Sequence, residues 1–338
     1  MAEPETTLEK TTSRNYAGDT VSTRFTDLIG CRWPLQSAGM GLVAGVDLAA
    51  AVTNAGALGM LGPQPLPPDA FDAALGTLAE RTDGRPFGVN FLMPFLDARQ
   101  VELAARRAHL VEFFYGDPDP ELIRIGHAAD AFVGWQVGSA DEARAAVRAG
   151  CDLLVAQGTE AGGHVRGTEP RDAILANVMA AVDVPVLAAG GIATAEQAAA
   201  ALGAGADGVR VGTGFLAATE ADVHPDYLTA ILTADGTDTV LTEVFTLDWP
   251  EAPHRVLRSA AERARSGDGE VVGELTAGER RHPIPRFATM PPTRAVRGDI
   301  AAMALYAGQA VGAVSTEQPA AEIVHGLMSE IGSSTRRV

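Results

Sequence analysis

The chain has 338 residues, and its 43 acidic side chains outnumber 26 Lys and Arg, giving a net charge of −17. Such a surface repels phosphate backbones and anionic lipid heads, which excludes nucleic acid and membrane surfaces as partners. The length suffices for one large α/β barrel or two ordinary domains.

The opening "MAEPETTLEKTTSRNYAGDT" has neither a basic start nor an apolar stretch, so it is not a secretion signal. No run of about 18 apolar residues follows anywhere, and a cytoplasmic protein with a flexible arm over 1–24 is expected. The only two cysteines, Cys31 and Cys151, stand at the entrances to apolar runs without a CxxC partner or a histidine at ligand spacing. They read as buried thiols in a reducing compartment, and no metal site is expected.

Short apolar runs then follow near 33–37, 57–61, 86–93, 109–114, 130–137, 151–157, 185–189 and 207–212. Each reads as a strand covered on both faces, and between them lie helical patterns such as "DAFDAALGTLAER" and "SADEARAAVRAG". In "VTNAGALGML", "VRAGCDLLVAQG" and "LGAGADGVRVG" the helical pattern stops at Ala-Gly, where glycine takes the left-handed cap, and an apolar run resumes. Repeated helix, cap and strand predict a TIM (β/α)8 barrel, with an open doubly wound sheet as the alternative. The barrel is expected over 25–225 and 300–330. Residues 226–299, too long for a plain loop, are expected to form a small, mainly helical cap or lid before a last helix at "IAAMALYAGQAVGAV". The tail after 328 is expected to fray.

In a barrel the chemistry gathers where strands end. The first run leads into "QSAGMGLVAG", where Gln36 offers a donor and an acceptor and the backbone at Ala38, Gly39 and Met40 can approach a flat ligand, unless this is only a glycine turn. Asn90 interrupts the apolar third run, and Gln136 and Gln157 raise the same demand for a partner on two more strands. Main chain could satisfy any one of them, Gln136 most readily; together they suggest a polar ring around a cofactor. "GTEAGGH" carries His164 over the mouth on Gly162 and Gly163, as a mobile or tightly folded loop. An imidazole there can take a proton from carbon or steady a forming negative charge. Gly190 and Gly191 in "LAAGGIAT", with Gly212 and Thr213 in "VRVGTGFLA", form paired bends on the last two strands and suggest a phosphate cradle of bare peptide N–H groups. His109, His224 and His282 read as structural or exposed.

The segments "AQGTEAGGH", "PVLAAGGIATAEQAAAALGAGADGVRVGT", "LAAAVTNAGALG", "FGVN" and "YAGQAVG" resemble the nitronate monooxygenases, formerly 2-nitropropane dioxygenases, over about 25–225 and again at 300–312. The resemblance implies FMN as cofactor, with alkyl nitronates or nitroalkanes and O2 as small-molecule partners and a carbonyl compound plus nitrite as products. It implies His164 as base and Gln36, Asn90 and Gln157 as contacts to the flavin and its ribityl chain. Gly191, Gly212 and Thr213 correspond to the phosphate loops, and Tyr306, Gly308 and Gln309 to the closing segment. Met40, Phe91 and Met93 become candidate pocket walls, or ordinary packing. "QSAGMG" and Gly214 depart from the family's usual loops, which bears on substrate identity and on the phosphate site. An FMN-dependent NAD(P)H reductase of quinones or enoyl thioesters, in the manner of the FabK-type enoyl reductases, shares these loops. An inosine-monophosphate-dehydrogenase-like barrel would need a loop cysteine that the chain lacks, and a flavin-holding module without turnover is the remaining reading. A homodimer is the oligomeric state left open.

Overall fold

In the computed structural model, which describes residues 20–62, 65–278 and 280–331, every one of the eight apolar runs is a barrel strand. They are β1 (Leu35–Ser37), β2 (Gly59–Leu61), β3 (Phe87–Leu92), β4 (Leu110–Phe114), β5 (Phe132–Val137) and β6 (Leu153–Gln157), then, after the two-residue β7 (Gly163–His164), β8 (Val186–Ala189) and β9 (Gly208–Val211). All eight pair in parallel, in the order β1-β9-β8-β6-β5-β4-β3-β2. The two ends of that order meet: Ser37 N–H donates to Leu58 O at 3.0 Å and Leu58 N–H to Leu35 O at 2.8 Å. The sheet is therefore closed, and the open doubly wound alternative falls.

After the capping helix α1 (Arg24–Ile29), the outer layer is α2 (Val46–Asn54), α3 (Pro68–Thr82), α4 (Ala98–Arg107), α5 (Pro120–Ala128), α6 (Ala140–Ala149), α7 (Arg171–Met179) and α8 (Ala195–Gly203). The Ala-Gly stops are real turns, with Gly56, Gly150 and Gly205 at φ 98°, 110° and 104°, where a side chain would be strained. Helix starts are set by side chains; Thr194 and Gln197, for example, form a reciprocal capping box on α8.

Interior side chains alternate with those facing the helices. Leu58, Met60, Leu110, Leu153, Val155 and Leu187 form a cluster of their own inside the barrel, joined by Phe25 and Ile29 of α1. That helix closes the amino-terminal end of the barrel, where Arg24 bonds Asp207 and the carbonyls of Asp183 and Val184. Both cysteines are buried, as expected; burial pushes the Cys31 thiol far up and the Cys151 thiol up to about 12.

Four expectations need correction or bounding. Of the expected arm, 1–19 lies outside the described residues, whereas Val21 is buried, Thr23 caps α1 and Arg24 begins it. Of the expected frayed tail, 332–338 likewise lies outside them, while Ile331 is buried.

The stretch 300–314, expected as the last helix, is not one. It makes short 3-10 turns at Ile300–Ala302 and Gln309–Ala313, and the eighth helix position is filled later in the chain. Counting α9 (Pro225–Thr233) and α10 (Arg258–Ser266), the returning helix is α11 (Ala320–Met328), which packs between α8 and α2. Within the stretch 300–314, Gly308 lies against the loop after β6, where an added Cβ would stand 2.8 Å from Glu160 O and from Gly162 N.

The segment 226–299 is not mainly helical either. Besides α9 and α10 it holds β10 (Thr239–Thr242), β11 (His254–Leu257), β12 (Val271–Ala277), β13 (Arg280–Pro285) and β14 (Val296–Gly298). These make two three-stranded antiparallel sheets, β10-β11-β7 and β13-β12-β14, the first of which takes in the loop after β6.

Candidate functional site

Parallel strands bring all eight carboxyl ends to one mouth, and a cavity opens there, about 1220 Å³ including the part open to solvent. Ala38, Gly39 and Met40 line it from the loop after β1, and Asn90, Gln136 and Gln157 from β3, β5 and β6. The loop after β6 adds Gly162, Gly163 and His164; the bends after β8 and β9 add Gly190, Gly191, Gly212 and Thr213; Tyr306 and Gly308 close the side. Gly190 and Gly191 have φ of 106° and 66°, so this double bend requires glycine. Gly39 also needs its missing side chain, because a Cβ there would stand 2.5 Å from that of Asn90.

Two expected contacts are absent from the wall. Gln36 is fully buried and donates from Nε2 to Glu112 Oε2 at 2.9 Å, away from the cavity. Gln309 is exposed, and its backbone N–H donates to Glu160 O at 2.9 Å. Of the expected pocket walls, Met40 lines the cavity, but Phe91 packs in the core between Phe71 and Phe113, and Met93 also packs against the core; Leu92 and Phe95 line the cavity instead.

The partners demanded by the strand amides are protein groups. Asn90 Nδ2 donates to Glu112 Oε1 at 2.9 Å, and Gln136 Oε1 accepts from Arg210 Nη1 at 2.6 Å, a side chain rather than the main chain. Glu112 and Arg210 form an ion pair at 2.6 Å, 0% and 6% exposed, so the polar ring is organised around a buried charge pair. Neither was singled out in the sequence. Each was nevertheless visible there as a lone charge in a strand with no solvent face, "HLVEFF" and "GVRVG".

The loop 158–164 is tightly folded. Ala161 N–H turns back to Gly158 O, Thr159 N–H bonds Glu169 O, and Glu160 Oε2 accepts from Arg171 N–H. Arg255 of β11, buried and in no ion pair among the described residues, donates from Nε and Nη2 to Thr159 O at 2.9 and 2.7 Å. Desolvation lowers its guanidinium pKa.

His164 is thereby held on β7 against β11, opposite His254. Four rings surround it: Trp249 stacked at 3.9 Å and 22°, His254 at 5.2 Å, Tyr306 at 5.6 Å and Tyr115 edge-on at 5.9 Å. Burial, with a small push from His254, lowers the His164 pKa to about 3, so the imidazole is neutral throughout the neutral range. His254 is lowered too, again by burial, and its Nε2 accepts from Phe245 N–H at 3.1 Å, which puts its proton on Nδ1 facing Ala252 O at 2.8 Å. Trp249 and His254 come from the segment after 226 and escaped sequence reasoning, because nothing local ties them to residue 164.

Among the described residues, two buried polar atoms on cavity residues have no hydrogen-bond partner: Gln157 Oε1 and His164 Nε2. The residues adjoin, since Gln157 Nε2 donates to His164 O at 3.0 Å. Leaving such atoms unmet costs about 1–3 kcal/mol each, which a bound polar ligand recovers. Among the described residues no group of three or more His, Cys, Asp or Glu could hold a metal ion, and no helix is long and apolar enough to cross a membrane.

Comparison with known proteins adds the following. A family profile described as "Nitronate monooxygenase" matches residues 22–105 and 97–330. The "(3aS,4S,5R,7aS)-5-hydroxy-7a-methyl-1-oxo-octahydro-1H-indene-4-carboxyl-CoA dehydrogenase" of Mycobacterium tuberculosis (strain ATCC 25618 / H37Rv) is 40% identical, over 76% of this chain and 69% of its own. A "Probable nitronate monooxygenase" of Staphylococcus aureus (strain Newman) is 28% identical over 82% and 96%. Among solved structures, FabK from Thermotoga maritima superposes with a TM-score of 0.76 at 30% identity, covering 94% of this chain and 98% of that one. A nitroalkane oxidase from Streptomyces ansochromogenes gives 0.75 at 29%, covering 93% and 99%.

Proposed function

The chain belongs to the nitronate monooxygenase family of oxidoreductases, and from that premise we propose that it holds FMN in the barrel mouth and oxidises alkyl nitronates with O2 to a carbonyl compound and nitrite. The observation that carries this reading is the pair of orphaned buried atoms, Gln157 Oε1 and His164 Nε2, on the wall of the cavity at the strand ends. The residues present fit the cofactor. Asn90 and Gln157 would face its polar portions, and the bare peptides at Gly190, Gly191, Gly212 and Thr213 would hold its phosphate without a lysine. The chemistry such a flavin supplies is uptake of electrons from the nitronate and their delivery to O2.

The chain's own residues bind and orient. A nitronate is already deprotonated, so a neutral His164 suits it: Nε2 can hydrogen-bond a nitro oxygen without first discharging a proton. A neutral nitroalkane calls for the other tautomer, with the proton on Nδ1 and Nε2 bare to take the α-proton, and burial opposes the imidazolium that forms. Trp249 and Phe95 give the cavity an aromatic wall, with Tyr115 packed edge-on against Trp249.

The test is a visible spectrum of the purified protein, followed by oxygen uptake with propionate 3-nitronate and with nitroalkanes, without nicotinamide. Rapid uptake supports the proposal. A second reading, NAD(P)H-linked redox chemistry on a thioester, is favoured by the 40% identity to a protein named as a carboxyl-CoA dehydrogenase. Anaerobic bleaching of the flavin by NADH or NADPH, with no response to nitronates, would replace the first reading by the second.

A further inference from the structure

A histidine working beside a ligand is ordinarily oriented by a hydrogen bond from its second ring nitrogen to a carboxylate or carbonyl. His164 has no such support: among the described residues no hydrogen bond to its ring is made. The nearby His254 cannot give one, since both its nitrogens are engaged, with Ala252 O and Phe245 N–H. What touches the ring is the indole of Trp249, nearly parallel at 3.9 Å.

Trp249 is itself held fast. It is 5% exposed, its backbone N–H donates to Thr246 O at 3.1 Å, and its indole is wedged edge-on between Tyr115 at 4.6 Å and Phe95 at 5.4 Å. The same segment grips the His164 backbone, through the β7–β11 pairing and the bond from Val165 N–H to Pro253 O at 2.8 Å. Residues 245–257 thus seat both the main chain and the ring of His164.

We propose that Trp249 is the positioning residue of His164: its indole face, in place of a hydrogen bond, fixes the plane of the imidazole on the cavity wall. The inserted segment is then a fixed wall of the site rather than a detachable lid. An electron-rich indole face also tolerates an imidazolium better than an aliphatic neighbour would, so the stack serves whichever protonation state the reaction visits. This inference rests on the proposed role of His164 at a bound substrate, but the stack itself can be tested without turnover.

The experiment compares the purified full chain with Trp249→Phe and Trp249→Leu. Histidine side-chain nitrogen–proton correlation spectra report tautomer and ring motion, and His164→Asn identifies the His164 signals. One sharp tautomer pattern is expected in the parent and in Trp249→Phe, with averaged, broadened signals in Trp249→Leu. Turnover with a nitronate should fall about 10- to 100-fold in kcat for Trp249→Leu with KM changed less than about threefold, and recover in Trp249→Phe. Unchanged His164 signals in the Leu variant, or a kcat that rises because a covering ring was removed, overturns the proposal. Should the Leu variant not fold, Trp249→Met takes its place under the same criteria. If the spectra change as expected while the parent oxidises no nitronate, the positioning role stands and the proposed reaction is what fails.

Discussion

The buried pair Glu112–Arg210 offers the sharpest energetic test. Glu112 is wholly inaccessible and receives three donors, Arg210 Nη1 and Asn90 Nδ2 on Oε1 and Gln36 Nε2 on Oε2. Glu112→Gln keeps the size of the side chain, so no cavity enters the comparison, but it leaves Arg210, 6% exposed, without a counter-charge. Breaking a buried pair in this way costs about 3–5 kcal/mol. At roughly 2 °C per kcal/mol for a chain of this size, Tm should drop by about 6–10 °C. In an Arg210→Met background the sign changes, because there Glu112 is the stranded charge and neutralising it is expected to be neutral or stabilising. Urea unfolding of the four proteins, followed by circular dichroism and fluorescence with coincident transitions required, measures the coupling. A cost below about 1 kcal/mol for Glu112→Gln alone, or the same cost in both backgrounds, would refute the claim that a charge pair organises the polar ring.

His164→Asn should retain the flavin spectrum and lose about 10²- to 10⁴-fold in kcat; flavin retention with unchanged turnover would remove His164 from the mechanism. At pH 7 kcat/KM should be at least about 100-fold higher for a nitronate than for the parent nitroalkane, since an imidazole lowered to about 3 is a poor proton acceptor; equal values would mean that bound substrate restores its basicity. The same shift sets a pH dependence of stability. The unfolded chain, with its histidine near 6.5, binds the proton that the folded chain refuses down to about 3, so this contribution is complete above 6.5 and declines as pH falls from there toward 3. The loss is about 1.4 kcal/mol per pH unit inside that window, and urea titrations at pH 7, 6 and 5 should show a shallower decline in His164→Asn. Gly191→Val, placed at φ 66°, should weaken flavin retention on gel filtration while oxygen uptake recovers when FMN is supplied in excess; tight retention would move the phosphate elsewhere.

Local signals in the chain determined a good deal. Strand positions followed from apolar runs with no polar alternation, helix stops from Ala-Gly pairs, and the bend at Gly190 and Gly191 from glycines placed directly after a strand. Each of these is set within a window of a dozen residues, where periodicity and backbone freedom act.

Tertiary structure alone decided which groups meet. Gln36 looked like a ligand contact and turned out to serve Glu112, 76 residues away; Gln136 found Arg210 at a separation of 74. The eighth helix came from Ala320–Met328 because the position between α8 and α2 had to be covered, and no feature of the sequence marks that vacancy. Trp249 reached His164 by way of a sheet that joins β7 to β11. Backbone closure brings these side chains within bonding distance, and a partner chosen by closure leaves no periodic trace in either stretch of sequence.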